Sequence, residues 1–286
     1  MERWLRIRLG VLVALSVVGL LVWIPAGQAS SSIGENLQVR FLDVGQGDAI
    51  QIITPDGYEA LIDGGPTASV LRELAIGRSF FDKSIDVLIA THPDSDHISG
   101  LVDVLERYQV DYIIETNNKS ETAASSAYEQ AVTNEQAKII IAQAGQTIKL
   151  GGLTTIKIYS PNGDTSNWKS NAASVVVQVS FGDIDFMLTG DAPSSIEDYI
   201  VSKYGTLLES EVLKLGHHGS DTSSSENFLN TVKPDFAVVS AGADNRYGHP
   251  RAEVIERAES VGAEIVSTID KGTITFVTDG KKVWVE

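Results

Sequence analysis

From residue 37 to the C-terminus, short apolar runs alternate with polar breaks rich in glycine, proline, serine and aspartate. Residues 39–42, 49–53 and 59–62 have strand character, and Pro55-Asp56-Gly57 supplies the turn of a hairpin between the last two. A further strand is predicted over residues 85–90. Leu101, Val104, Leu105 and Tyr108 recur at helical spacing, so an amphipathic helix is predicted after His97. Strand character returns at residues 112–114, 137–141, 154–159, 174–179 and 185–188, and again at 212–215, 236–239, 264–267 and 273–277. Helices are predicted over residues 194–204, 225–232 and 251–260. No internal repeat or low-complexity tract interrupts the pattern. It reads as one α/β domain over residues 37–286, a size typical of single domains.

The first 36 residues follow a different rule. Arg3, Arg6 and Arg8 precede fifteen uncharged residues, 10–24, and then Pro25-Ala26-Gly27-Gln28-Ala29. Small residues at Gly27 and Ala29 fit a signal peptide over residues 1–29, cleaved after Ala29. The other reading is an uncleaved anchor, but fifteen residues fall short of the ~20 that span a bilayer. Both readings place the rest of the chain outside the cytoplasm, secreted or extracytoplasmic, because the arginines stay inside. Membrane contact is expected only through this segment if it is uncleaved. Residues 30–36 read as a linker.

Composition narrows the chemistry. An apolar fraction of 43% suffices for a sizeable core. With no cysteine, disulfides, thiolate metal sites and cysteine catalysis are excluded, so any metal is held by nitrogen and oxygen. A net charge of −16, spread along the chain, opposes a stable complex with nucleic acid.

All five histidines fall in three short clusters near predicted strand ends: His92 with His97, His217 with His218, and His249. In Thr91-His92-Pro93-Asp94-Ser95-Asp96-His97, four potential ligands lie within six residues. His92 and Asp94 are two apart and point the same way in a looping backbone, whereas adjacent Asp96 and His97 diverge. One loop can therefore serve two cations, with His92 and Asp94 on one and Asp96 and His97 on the other. A two-metal site needs a bridging carboxylate, and Asp191 in Leu188-Thr189-Gly190-Asp191 ends an apolar strand. A helix cap at Asp191 is the competing reading, since Pro193 follows closely. Gly45-Gln46-Gly47-Asp48 lies between two predicted strands and reads as the floor of the metal pocket. The hydroxyl run at Ser220 and residues 222–225 reads as helix capping. Lys214, on a predicted strand, reads as a solvated residue.

His92-x-Asp94-x-Asp96-His97 resembles the His-x-His-x-Asp-His signature of the metallo-β-lactamase-fold hydrolases, with aspartate replacing the second histidine. Four segments more closely resemble the extracellular hydrolase domain of ComEC-type DNA-uptake competence proteins: residues 41–48, residues 61–65, the His92 cluster and residues 213–220. Asn245-Arg246-Tyr247-Gly248-His249-Pro250 matches as well. The likeness covers roughly residues 37–286. It implies a four-layer αββα sandwich, two mixed β-sheets flanked by helices.

The resemblance also implies roles. His92 and Asp94 hold the first metal, Asp96 and His97 the second, Asp191 bridges, and His217 or His218 completes the set. Asp63 orients a ligand from behind, a common duty of carboxylates beside histidine sites. The superfamily's third-motif histidine has no counterpart; Asn171 and Ser174 are its nearest candidates, which leaves the first metal short of a nitrogen. Replacing imidazole by carboxylate hardens the site and favours Mn²⁺ alongside Zn²⁺. The implied function is an exported phosphodiesterase or nuclease acting on extracellular DNA through a hydroxide activated by two metals. Asp96 would orient that hydroxide, and His249 would hydrogen-bond the phosphate or protonate the leaving oxygen. The alternatives are a phosphoesterase acting on a small or cell-wall ester and a non-catalytic metal-binding scaffold.

Overall fold

A computed structural model describes residues 35–286, which form one compact unit. The expected signal peptide, and nearly all of the expected linker, lie outside the described residues. Among those described, no helix is long and apolar enough to cross a membrane.

Two sheets carry the fold. The first contains β1 (Leu37–Phe41), β2 (Ile50–Ile53), β3 (Glu59–Ile62), β4 (Ser84–Ile89), β5 (Gln109–Glu115), β6 (Lys138–Ile141), β14 (Ile274–Thr278) and β15 (Val283–Val285), in the order β15-β14-β1-β2-β3-β4-β5-β6. The second runs β13-β12-β11-β10-β9-β8-β7, comprising β7 (Thr147–Leu150), β8 (Thr154–Ser160), β9 (Val176–Phe181), β10 (Ile184–Leu188), β11 (Val212–Lys214), β12 (Phe236–Val239) and β13 (Glu264–Ser267). Both are mixed: β3 to β6 are parallel, as are β10 to β13, and the remaining pairings are antiparallel.

Period-two alternation decides what meets what. Leu37, Val39 and Phe41 of β1, with Val177, Val179 and Phe181 of β9, point into a shared core between the sheets. The opposite faces are covered by helices. Leu61, Leu88 and Ile113 pack against α1 (Ser69–Ala75), α2 (Ser95–Arg107) and α3 (Ala123–Asn134). Val176, Met187, Leu213 and Val239 pack against α4 (Ser194–Tyr204), α5 (Glu226–Val232) and α6 (Ala252–Ser260). Three apolar cores between four layers make the αββα sandwich.

The differences from the predicted elements have physical reasons. The α2 helix starts at Ser95, so Asp96 and His97 sit in its first turn instead of in the preceding loop. Helix α3 and strands β7 and β15 are absent from the predicted pattern. The α3 helix buries only Ser125, Tyr128 and Val132, too thin a stripe to register as amphipathic, and β7 and β15 lie at sheet edges with little burial. Helix α1 and the four-residue α7 (Thr268–Lys271) are too short for periodicity to detect.

Glycine lets the loops close over the site. A Cβ on Gly47 would lie 2.1 Å from the Asp96 carbonyl oxygen, and one on Gly100 would lie 2.0 Å from that of Gly64. These contacts clamp the β1–β2 and β3–α1 loops against the start of α2.

Candidate metal centre

The parallel strands of both sheets end at one place. Ligands in open α/β sheets sit outside the carboxyl ends of strands, where loop residues can face one another. Asp63 follows β3, Thr91 and His92 follow β4, Asp191 follows β10, and His217 and His218 follow β11. Asp63, His217 and His218 are non-glycine residues with positive φ, at 57°, 50° and 58°. Consecutive left-handed residues are costly for side chains bearing a Cβ. In residues 216–219 this conformation turns both imidazoles back toward the strand ends.

Four imidazoles converge on one buried carboxylate oxygen. The Nε2 atoms of His97, His218, His217 and His92 lie 3.3, 3.5, 3.7 and 3.8 Å from Asp191 Oδ2. Asp94 Oδ2 is 3.6 Å from His92 Nε2, and Asp96 Oδ2 is 3.5 Å from His218 Nε2. Within this cluster, His92, His97 and Asp191 form one potential ligand set, and Asp96, His97 and His218 form another. His97 is common to these two groups. Asp191 forms no cap hydrogen bond to α4, whose N-cap is Pro193.

The far sides of the rings are held. His97 Nδ1 is 2.7 Å from Asp63 Oδ2, and Asp63 also accepts from the Thr91 amide and hydroxyl at 2.8 and 2.7 Å. His218 Nδ1 faces the Ser240 carbonyl at 2.9 Å, and His92 Nδ1 faces Thr91 Oγ1 at 3.0 Å. Ser170 donates to Asp94 at 2.5 Å, and Ser174 Oγ accepts from the Asp191 amide at 3.2 Å. Asn171 lies beside the His217 ring, its Nδ2 3.4 Å from Nε2. His249, on the loop before α6, lines the same cavity, its ring centroid 5.4 Å from that of His217. It faces the site, unlike a solvent-facing residue at a helix start.

Two participants carry no signal that composition or spacing alone could single out. Lys214 is fully buried, which corrects its reading as a solvated strand residue. Its ammonium lies 2.5 Å from Asp48 Oδ2, 3.7 Å from Asp191 Oδ1, and donates to the Gly190 carbonyl at 2.8 Å. Asp48 is buried as well, 3.4 Å from His218 Nδ1. The floor formed by residues 45–48 is therefore a charged one.

Burial opposes every one of these charges, yet mutual attraction wins. His218, His97 and Lys214 hold Asp191 well below the usual carboxylate range despite desolvation. Against the same penalty, Asp191 and Asp63 lift His97 well above an ordinary histidine, and Asp191 and Asp48 lift His218 to about 9. His217 and His249 go the other way, lowered chiefly by burial.

The residues fit a divalent-metal centre. His92 Nε2, His97 Nε2, His218 Nε2 and Asp191 Oδ1 are buried without a hydrogen-bond partner, an arrangement that costs free energy unless a further group satisfies those atoms. Nitrogen and carboxylate oxygen are suitable donors for Zn²⁺, Mn²⁺ and iron alike.

The chain belongs to the metallo-β-lactamase superfamily, whose family model matches residues 42–243. Within it, relatives of this chain include ComE operon protein 3 of Bacillus subtilis, at 29% identity over 86% of this chain with 33% of the relative covered, and recombination protein 2 of Haemophilus influenzae, at 31% identity over 83% of this chain with 28% of the relative covered. The chain thus spans about a third of the length of these curated relatives. Among solved structures, the metallo-β-lactamase fold protein YhfI from Bacillus subtilis matches with a TM-score of 0.54 at 12% identity, over 86% of this chain and 99% of YhfI. CmlA, a diiron β-hydroxylase from Streptomyces venezuelae, matches at 0.53 and 14% identity, over 85% of this chain and 54% of CmlA. The same fold thus carries a hydroxylase, so the fold alone does not fix the reaction.

Two outcomes follow from the electrostatics. His97 and His218 bind protons more tightly folded than unfolded, so the stability they contribute is complete below about 6.5 and is lost as pH rises, for His218 through about 9. Urea unfolding of chelator-treated protein should show stability falling between those pH values, and a flat profile would contradict these assignments. Lys214→Met strands buried Asp48 and should cost about 3–5 kcal/mol. Lys214→Met/Asp48→Asn should lose less than Lys214→Met alone, whereas additive losses in denaturant titration would show the pair is uncoupled.

Proposed function

We propose that the chain is an exported, metal-dependent phosphodiesterase that cleaves DNA strands outside the cytoplasm. The observation that carries this reading is the convergence of four imidazoles on Asp191, with Asp94 and Asp96 flanking them around a cavity of about 160 Å³. One cation would be held by His92, Asp94 and Asp191, with His217 supplying the nitrogen that Asn171 and Ser174 cannot. The other would be held by Asp96, His97, His218 and Asp191. When bound, two such cations supply charge neutralisation at phosphorus and a nucleophile at neutral pH. Manganese is favoured alongside zinc because carboxylate replaces imidazole at Asp94.

The chain's own groups do the positioning. Asp63 fixes the His97 ring through Nδ1, and Ser240 fixes His218, so both present Nε2 to the cavity. Asp96, less buried than Asp191, orients the attacking water. His249 is kept neutral by burial and by His217, which suits it to hydrogen-bond a phosphate oxygen. The motif resemblance to DNA-uptake hydrolase domains and the recombination-protein relative, together with the arginine-led apolar run before residue 29, support extracytoplasmic DNA as the substrate. The net charge of −16 makes contact with that substrate transient. It equally favours the second reading, a small or cell-wall phosphoester.

Purified protein with Mn²⁺ or Zn²⁺, offered a single-stranded oligodeoxynucleotide and bis-p-nitrophenyl phosphate, should turn over both. Asp191→Ala should lower both rates on the order of a thousandfold. Hydrolysis of the small ester alone would select the second reading. No turnover of either substrate would overturn the enzyme reading and leave the scaffold.

A further inference from the structure

The cavity is too small for the substrate it faces. Pockets that enclose organic ligands run to roughly 300–1,000 Å³, and this one holds about 160 Å³. It accommodates the reacting phosphoester but no nucleoside, so sugar and base must lie on its rim.

The rim holds a built aromatic surface. Tyr247 lines the cavity beside His249, and the two rings stack with centroids 5.8 Å apart and planes at 22°. Tyr247 is 45% exposed. Arg246 places its guanidinium 5.0 Å from the Tyr247 ring centroid and donates to the phenol oxygen at 2.9 Å. Packing does not require this ring, because Asn245 already secures the loop. Its side chain donates to the Gly242 and His249 carbonyls at 2.8 and 2.6 Å and accepts from the His249 amide at 3.0 Å. The loop is therefore held at its base, and the ring stands at the solvent boundary between His249 and Arg246.

We infer that Tyr247, backed by His249 and flanked by Arg246, is a stacking platform for an unpaired nucleobase next to the scissile phosphate, an inference that rests on the phosphodiesterase reading. Every base has a π-face, so such a platform selects single strands without selecting sequence. Arg246 is the exposed cation on a rim whose cavity walls carry Asp94, Asp96 and Asp191, and it meets the neighbouring backbone phosphate. A duplex keeps its bases stacked inside and offers this ring nothing.

The test compares two substrates of equal length on the full chain with Mn²⁺: an oligothymidylate and a backbone of abasic tetrahydrofuran units. Wild type should show a KM roughly tenfold lower for the base-bearing strand, the size expected of one stacked base. Tyr247→Ala should collapse that ratio to about one, while Tyr247→Phe, which keeps the ring, should preserve most of it. A wild type that cleaves both strands with equal KM, or a Tyr247→Ala variant that keeps the ratio, would overturn the platform and leave the phosphodiesterase reading standing. Cleavage of neither strand by wild type would overturn both.

Discussion

A single buried carboxylate organises this molecule. Asp191 presents one oxygen to four imidazoles within 3.3–3.8 Å, with its partners drawn from both sheets. Desolvation alone would push a proton onto such a group and onto no histidine near it. The opposite result, an anionic Asp191 among cationic His97 and His218, holds because the charges are mutually stabilising at short range. The surrounding fold can be read as the apparatus that keeps them there: positive-φ turns at Asp63, His217 and His218, the close glycine contacts at Gly47 and Gly100, and the buried Lys214–Asp48 pair beneath.

That arrangement also explains why chemistry and stability are intertwined here. Protons on His97 and His218 occupy the places divalent cations would take, so a bound metal displaces a stabilising proton set and contributes its own binding free energy to folding. Lys214 supplies a permanent cation behind Asp191, which limits how far the site's negative charge must be offset from the front. The cavity side remains acidic at Asp94 and Asp96, and Tyr247 and His249 also line it, with Arg246 against the Tyr247 ring.

Much of this was legible in the residues. The short apolar runs located most strands of both sheets, because strands covered on both faces read as near-continuous apolar stretches, and β3, β12 and β13 were predicted to the residue. Strands β7 and β15 were not visible, since almost none of their residues is buried and no apolar run marks them. The clustering of histidines and aspartates at strand ends pointed to the site, and the motif resemblance to the αββα layers. What spacing could not convey was the partition within the cluster. His97 lies on a helical turn, not an extended loop; of the paired histidines, both reach Asp191, but His218 is buried while His217 is partly exposed beside Asn171. Lys214 shows the same limit, because a lysine on a strand reads as solvated until its buried partner Asp48, 166 positions earlier, is in view.

The central claim is that Asp191 is shared by two divalent cations. Crystals equilibrated with Mn²⁺ and measured by anomalous diffraction test it directly. Two peaks should appear on either side of Asp191, one within bonding reach of His92 and Asp94 and the other within reach of Asp96 and His218. Ordered crystals that show no peak beside Asp191 would contradict the account.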